Sequence, residues 1–67
     1  MEIDDLRGMT DDELNTDVYE THRELMNLRF RAATMQLADM NTISKAKKRI
    51  ARINTLLRER ELANEIA

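Results

Sequence analysis

Residues 10–28, TDDELNTDVYETHRELMNL, combine a helix start with a heptad pattern. Thr10 can cap the first amides of a helix, and Glu13, three residues later, can reach back to the amide of Thr10. Apolar positions then recur at alternating spacings of four and three, which is typical of a helix that packs along one seam. The seam consists of Leu14, Val18, Thr21, Leu25, Leu28, Ala32 and Met35. The pattern predicts a long helix over about residues 11–38, with Thr21 as its weak step.

A second seam follows a short polar break. The first pattern fades in ADMN, residues 38–41, where Asp39 and Asn41 supply turn or cap chemistry. The second seam consists of Ile43, Ala46, Ile50, Ile53 and Leu57, and it predicts a helix over about residues 42–62. Because the break is short, the two helices must fold back on each other in antiparallel orientation.

The N-terminal apolar residues add a third, short element. Ile3, Leu6 and Met9 have helical spacing and predict a short helix over about residues 2–8. The predicted fold class is all-α. The whole chain, residues 1–67, forms one domain, an antiparallel coiled-coil-like hairpin of two helices preceded by a short helix.

A second apolar stripe lies off the seam of the first long helix. At about 100° per residue, Tyr19, Met26, Phe30, Ala33 and Leu37 share this other face. Two interpretations stay open. The stripe could be satellite core beneath the N-terminal segment, or it could dock on a partner. Under the second interpretation, the docking residues are Tyr19, Met26, Phe30 and Leu37.

The formal net charge of −2 hides a strong asymmetry. Residues 1–28 carry nine acidic and two basic residues, a net charge of −7, whereas residues 29–60 carry nine basic and two acidic residues, a net charge of +7. In the second long helix, Lys45, Lys48 and Arg52 fall opposite the seam. The residues on its two flanks could pair with acids of the first helix, and they are Lys47 and Arg58 on one side and Arg49 and Arg60 on the other. The outward basic row favours a polyanion partner over a merely solvated face.

The sequence lacks the motifs of known catalytic and metal-binding sites. There is one histidine and no cysteine, so neither a zinc site nor a disulfide is predicted. The chain has no Gly-rich phosphate loop, and its many carboxylates lack a pocket that would shift their pKa values. We expect no cofactor, no metal and no enzymatic activity. The chain lacks an apolar run of roughly 18 residues and has an acidic N-terminus, which predicts a cytoplasmic protein.

Three ordered runs carry a family resemblance. DDLRGMTDDEL (4–14), LMNLRFRAATMQL (25–37) and IARINTLLRERE (50–61) closely resemble the bacterial large-subunit ribosomal protein family L-twenty-nine. The resemblance covers nearly the whole chain without a gap. The sequence departs from it at Met35, where many members have glycine, at Met40, where many have proline, and at Arg49, which replaces a common acid.

The resemblance implies a cytoplasmic structural constituent of the large ribosomal subunit. Such a protein binds large-subunit ribosomal RNA near the polypeptide exit tunnel, as a monomer, beside ribosomal protein L-twenty-three and close to nascent-chain factors. Recognition should depend on the RNA backbone and local RNA shape. Together with Lys45 from the outward row, the expected RNA-binding residues are Arg29, Arg31, Thr34, Gln36, Lys47, Lys48, Arg52, Thr55 and Arg58.

Two other classes of protein remain as alternatives. A non-ribosomal interaction module could dimerise through its seams and stripe into a four-helix bundle, although such a bundle does not need the outward basic row. A helix that lies on a membrane surface is disfavoured, because the apolar faces are seam-shaped and the first long helix is acidic.

Overall fold

The computed structural model of the chain describes residues 3–36 and 39–66 and is helical in both ranges. Helix α1 spans Ile3–Arg7, α2 spans Asp11–Ala33 and α3 spans Asn41–Ile66. Helices α2 and α3 pack along each other, and α1 packs against α3. The chain is elongated, with dimensions of 49 × 18 × 15 Å. The predicted all-α class, an antiparallel pair of long helices with a short N-terminal helix, is confirmed.

Helix α2 begins with the predicted capping box. The Glu13 N–H donates to Thr10 Oγ1 at 3.2 Å, and the Thr10 N–H donates to Glu13 Oε1 at 3.3 Å. Asp11, Asp12 and Glu13 occupy the first turn, where their negative charges interact favourably with the positive end of the helix dipole. The start of α2 is thus determined by local interactions.

Helix α2 ends at Ala33, five residues before the boundary predicted from the seam. The Gln36 N–H donates to the Arg31 carbonyl at 2.8 Å, and the Met35 N–H donates to the Ala32 carbonyl at 3.1 Å. This is the Schellman arrangement, in which the residue after the C-cap is left-handed. Met35 has a φ of 60° and its side chain is 94% exposed, so its predicted place in the seam is wrong.

The start of α3 uses the turn chemistry expected of Asp39. The Asn41 N–H donates to Asp39 Oδ1 at 2.9 Å, and the Thr42 hydroxyl donates to the Asp39 carbonyl at 2.8 Å. Helix α3 then continues to Ile66, beyond the predicted residue 62.

Two apolar clusters form the core between the helices. One cluster consists of Leu6, Leu14, Ile53 and Leu56, and the other of Leu25, Leu28, Ala46 and Ile50. Val18 packs against both clusters. Most predicted seam positions are therefore core. Leu56 is 2% exposed and was not predicted, whereas the predicted Leu57 is only partly buried. The core face of α3 is thus rotated toward the side of Leu56.

The N-terminal helix does not cover the second apolar stripe. Leu6 is fully buried against Leu14, Ile53 and Leu56, so α1 closes one end of the core. Tyr19, Met26 and Phe30 remain 63%, 70% and 66% exposed. The interpretation of the stripe as satellite core beneath the N-terminal segment is therefore wrong. Leu37, the fourth residue expected to dock on a partner, lies outside the described residues.

Candidate nucleic-acid interface

The eleven lysines and arginines divide into paired and unpaired groups. Four arginines form ion pairs: Arg7 with Glu59, Arg49 with Asp17, Arg58 with Glu61 and Arg60 with Asp11. The other seven have no carboxylate of the described residues within the 4 Å of an ion pair, and they are Arg23, Arg29, Arg31, Lys45, Lys47, Lys48 and Arg52. Six of these seven follow residue 28, so most of the positive charge in the second half is available to a ligand.

One of the four ion pairs fastens α2 to α3 near the middle of the hairpin. Arg49 Nε donates to Asp17 Oδ1 at 2.8 Å while its Nη2 donates to Oδ2, so the contact is bidentate. The hydroxyl of Thr21 lies 2.8 Å from the Asp17 carbonyl and 3.1 Å from Oδ1. Thr21, the weak step of the predicted seam, is therefore a buried residue whose hydroxyl is hydrogen-bonded.

The Asp17–Arg49 pair stays ionised because each partner stabilises the charge of the other. The hydrogen bond from Arg49 lowers the pKa of the Asp17 carboxyl, against the opposing effect of burial, and the hydrogen bond from Thr21 adds to the lowering. The same bond to Asp17 raises the pKa of Arg49. Of the four flank residues expected to pair with acids of α2, Arg49 and Arg60 do so. Arg58 pairs instead with Glu61 of its own helix, and Lys47 forms no ion pair with a described residue.

An open groove of about 690 Å³ lies beside this pair, between α2 and α3. Asp17, Glu20 and Glu24 line its α2 wall, whereas Lys45, Lys48 and Arg52 line its α3 wall. The row thus borders the groove, but none of its three cations forms an ion pair with an acid of α2. All three cations remain exposed.

The sequence analysis did not predict this groove, although the spacing of the charged residues indicates it. The acids at 17, 20 and 24 and the bases at 45, 48 and 52 share the same spacing of three and four residues. Two rows of opposite charge at equal helical spacing can face each other across an antiparallel pair. The charge rows thus indicate a groove with one anionic and one cationic wall.

A second basic surface lies at the end of α2. Arg29, Arg31 and Gln36 are exposed there, as is Thr34. The Thr34 hydroxyl lies 3.1 Å from the Phe30 carbonyl and 3.2 Å from the Arg31 carbonyl, so its hydrogen is engaged in capping the helix. Arg29, Arg31 and Gln36 are therefore the better donors to a phosphate on this surface.

The remaining expected residues lie on the exposed sides of α3. Lys47 and Arg58 are both exposed. The ion pair between Arg58 and Glu61 is weak, because its atoms lie 3.4 Å apart and both side chains are more than half exposed. The Thr55 hydroxyl donates to the Ala51 carbonyl at 2.9 Å. Lys47 and Arg58 can thus reach a ligand, whereas Thr55 would have to release its own hydrogen bond.

The described residues contain neither a metal-binding cluster nor a membrane-spanning helix. Within residues 3–36 and 39–66, no group of three or more histidine, aspartate or glutamate side chains is placed to hold a metal ion. None of the three helices described in these ranges is long and apolar enough to cross a bilayer.

Comparisons with known proteins identify the family. The family model described as Ribosomal L29 protein matches residues 4–60. The large ribosomal subunit protein uL29 of Thermosipho melanesiensis is 53% identical over 62 residues, 92% of this chain and 94% of that protein. The uL29 protein of Caldicellulosiruptor bescii is 46% identical over 67 residues, 100% of this chain and 93% of that protein. The match spans both the helical hairpin and its two basic surfaces, and the chain therefore belongs to the ribosomal L29 protein family.

Proposed function

We propose that this chain binds large-subunit ribosomal RNA near the polypeptide exit tunnel through the exposed lysines and arginines of its second half. As a member of its family, the chain is a structural component of the large ribosomal subunit in the cytoplasm and is not an enzyme. One observation carries the proposal. Six cations after residue 28 have no carboxylate partner among the described residues: Arg29, Arg31, Lys45, Lys47, Lys48 and Arg52.

The charges that line the groove determine which side of the hairpin faces the RNA. A phosphate group that approaches the α3 wall meets Lys45, Lys48 and Arg52, whereas the α2 wall presents three carboxylates that repel it. The cationic row extends from residue 45 to residue 52, which is about 10 Å at the helical rise. The Asp17–Arg49 pair holds the two walls in register. The RNA therefore docks on the α3 side of the groove, and the acidic start of α2 faces away from it.

Protein partners belong to the same proposal. The Tyr19 and Met26 end of the exposed stripe is suited to docking on a neighbouring protein such as ribosomal protein L-twenty-three, or on nascent-chain factors near the tunnel exit. In the subunit the chain acts as a monomer. Membership of the ribosomal family argues against the alternative of a non-ribosomal dimerisation module.

Charge reversal on the α3 wall tests the proposal. We expect Lys48→Glu and Arg52→Glu, singly and together, to lower incorporation into large subunits when the variant competes with the unaltered protein in cells. Both side chains are exposed, so helicity measured by circular dichroism on the free chain should stay unchanged. The fraction of each variant that co-sediments with large subunits is the readout.

Arg7→Glu is the matched control, because it makes the same change in charge as Arg52→Glu. Arg7 is also exposed, but it already pairs with Glu59 and lies in the acidic half of the chain. The control should be incorporated at nearly the normal level. Normal incorporation of the Lys48→Glu and Arg52→Glu double variant would rule out the α3 wall as an RNA-binding surface.

A further inference from the structure

The exposed stripe on α2 is not uniform along its length. Tyr19, Met26 and Phe30 are all more than 60% exposed, yet their charged neighbours differ. Glu20 directly follows Tyr19 and Asp12 lies about two helical turns before it, whereas Phe30 stands between Arg29 and Arg31. From residue 26 to residue 36 the chain contains no acidic residue. The Phe30 end is therefore both aromatic and purely cationic.

The two arginines beside Phe30 are not needed by the helix itself. The last carbonyls of α2 are already satisfied, since Phe30 O accepts from the Thr34 N–H at 3.1 Å, Arg31 O from the Gln36 N–H and Ala32 O from the Met35 N–H. A basic side chain at a helix C-terminus often serves those carbonyls. Here the backbone N–H groups that follow the helix bind those carbonyls instead. Neither arginine has a carboxylate partner among the described residues.

An aromatic ring flanked by free guanidinium groups matches one kind of ligand closely. Single-stranded RNA is bound by stacking its bases on exposed aromatic rings while basic side chains hold the neighbouring phosphates. A protein surface could cover the ring with apolar side chains, but the two arginines would then stay hydrated at its rim and contribute little. A nucleotide strand supplies the flat base and the two anionic phosphates in one covalent unit.

We infer that Phe30 is a stacking platform for an unpaired base of RNA, with Arg29 and Arg31 holding the adjoining phosphates. The inference rests on the proposed function and adds a mode of recognition to it. Phosphate contacts on the α3 wall orient the chain on the RNA, whereas stacking on Phe30 requires a base that is not paired. The protein thereby distinguishes a bulge or loop from a continuous duplex at this position.

A single tryptophan makes the stacking directly measurable. The chain contains no tryptophan, so Phe30→Trp introduces one fluorophore at the proposed platform. The probe is a fragment of large-subunit ribosomal RNA that retains its unpaired nucleotides. We expect the fragment to quench the emission of Phe30→Trp, because stacking on a base quenches indole. Tyr19→Trp is the matched control at a similarly exposed position on the same helix, and it should be quenched little.

The affinity for the RNA fragment of a variant that lacks the aromatic ring tests the same inference. Phe30→Leu keeps an apolar side chain but removes the ring, and we expect roughly a five- to hundredfold weaker affinity for the fragment, as for loss of one stacked base. The dependence of its affinity on salt should stay unchanged. Arg31→Gln should instead lower the salt slope by about one, as for loss of one phosphate contact.

The outcomes separate this inference from the proposed function. Salt-dependent binding of the unaltered chain, with unchanged affinity for Phe30→Leu and no quenching of Phe30→Trp, overturns the stacking and leaves the proposed function standing. Phe30→Leu that binds RNA normally but is poorly incorporated into subunits also overturns it, in favour of a protein partner. Absence of salt-dependent binding by the unaltered chain overturns the proposed function itself.

Discussion

Met35 is a non-glycine residue in the left-handed position that ends α2, and Met35→Gly should therefore stabilise the free protein. Its φ is 60°, and an L-residue in this conformation costs about 1–2 kcal/mol. Glycine avoids that cost but loses about 0.5–1 kcal/mol through the greater freedom of the unfolded chain. The Met35 side chain is 94% exposed, so its removal sacrifices little packing. The net gain should be about 0.5–1 kcal/mol.

Thermal and urea unfolding, followed by circular dichroism, measure this gain. For a domain of this size the expected increase in Tm is about 2–8 °C. Met35→Ala is the control, because alanine removes the long side chain but keeps the Cβ atom that makes the conformation unfavourable. Its stability should stay within about 0.5 kcal/mol of the unaltered chain. Equal Tm values for the glycine and alanine variants would refute the argument that backbone strain at Met35 limits stability.

Three further substitutions test the packing and the ion pair in the free protein by urea unfolding. Asp17→Asn should lower the free energy of unfolding at neutral pH by about 1.5–3 kcal/mol, as for lost hydrogen bonds to a charged group. Because the folded-state pKa of Asp17 lies below its ordinary value of 3.8, the Asp17–Arg49 ion pair contributes its full stabilisation above that pH. The difference between Asp17→Asn and the unaltered chain should thus be constant from about pH 7 to 5 and shrink as pH falls through the folded pKa; a constant difference in acid would contradict this. Ile53→Ala should cost about 2–5 kcal/mol, because Ile53 is fully buried, and a loss below about 1 kcal/mol would contradict the described core. Phe30→Ala should change stability by less than about 0.5 kcal/mol, whereas a loss of about 3–5 kcal/mol would show a buried ring.

The fold was predictable where short-range interactions decide it. The capping box at Thr10 and Glu13 involves residues three positions apart, and the seam residues between Leu14 and Leu28 repeat with the helical period. Both signals are present in the sequence itself. The end of α2 was not predictable in the same way, because Ala32 and Met35 continue the heptad spacing while the backbone turns left-handed at Met35.

The rotation of α3 depended on a contact between distant parts of the chain. Leu56 and Leu57 are adjacent and chemically identical, so the seam pattern cannot decide which of them is buried. In the tertiary structure Leu56 is a buried member of the cluster with Leu6, Leu14 and Ile53, whereas Leu57 is partly buried against that cluster. The residue types at the candidate surface were therefore predictable, whereas their pairing and direction required the tertiary structure.

Binding of the purified chain to a fragment of large-subunit ribosomal RNA, titrated at several salt concentrations, tests the central claim most directly. The comparison is an unrelated RNA duplex of equal length. With six unpaired cations after residue 28 available for phosphate contacts, affinity should fall by orders of magnitude between roughly 50 and 200 mM salt, and the ribosomal fragment should be preferred. Weak binding to both RNAs that does not change with salt would contradict the assignment of this surface to ribosomal RNA.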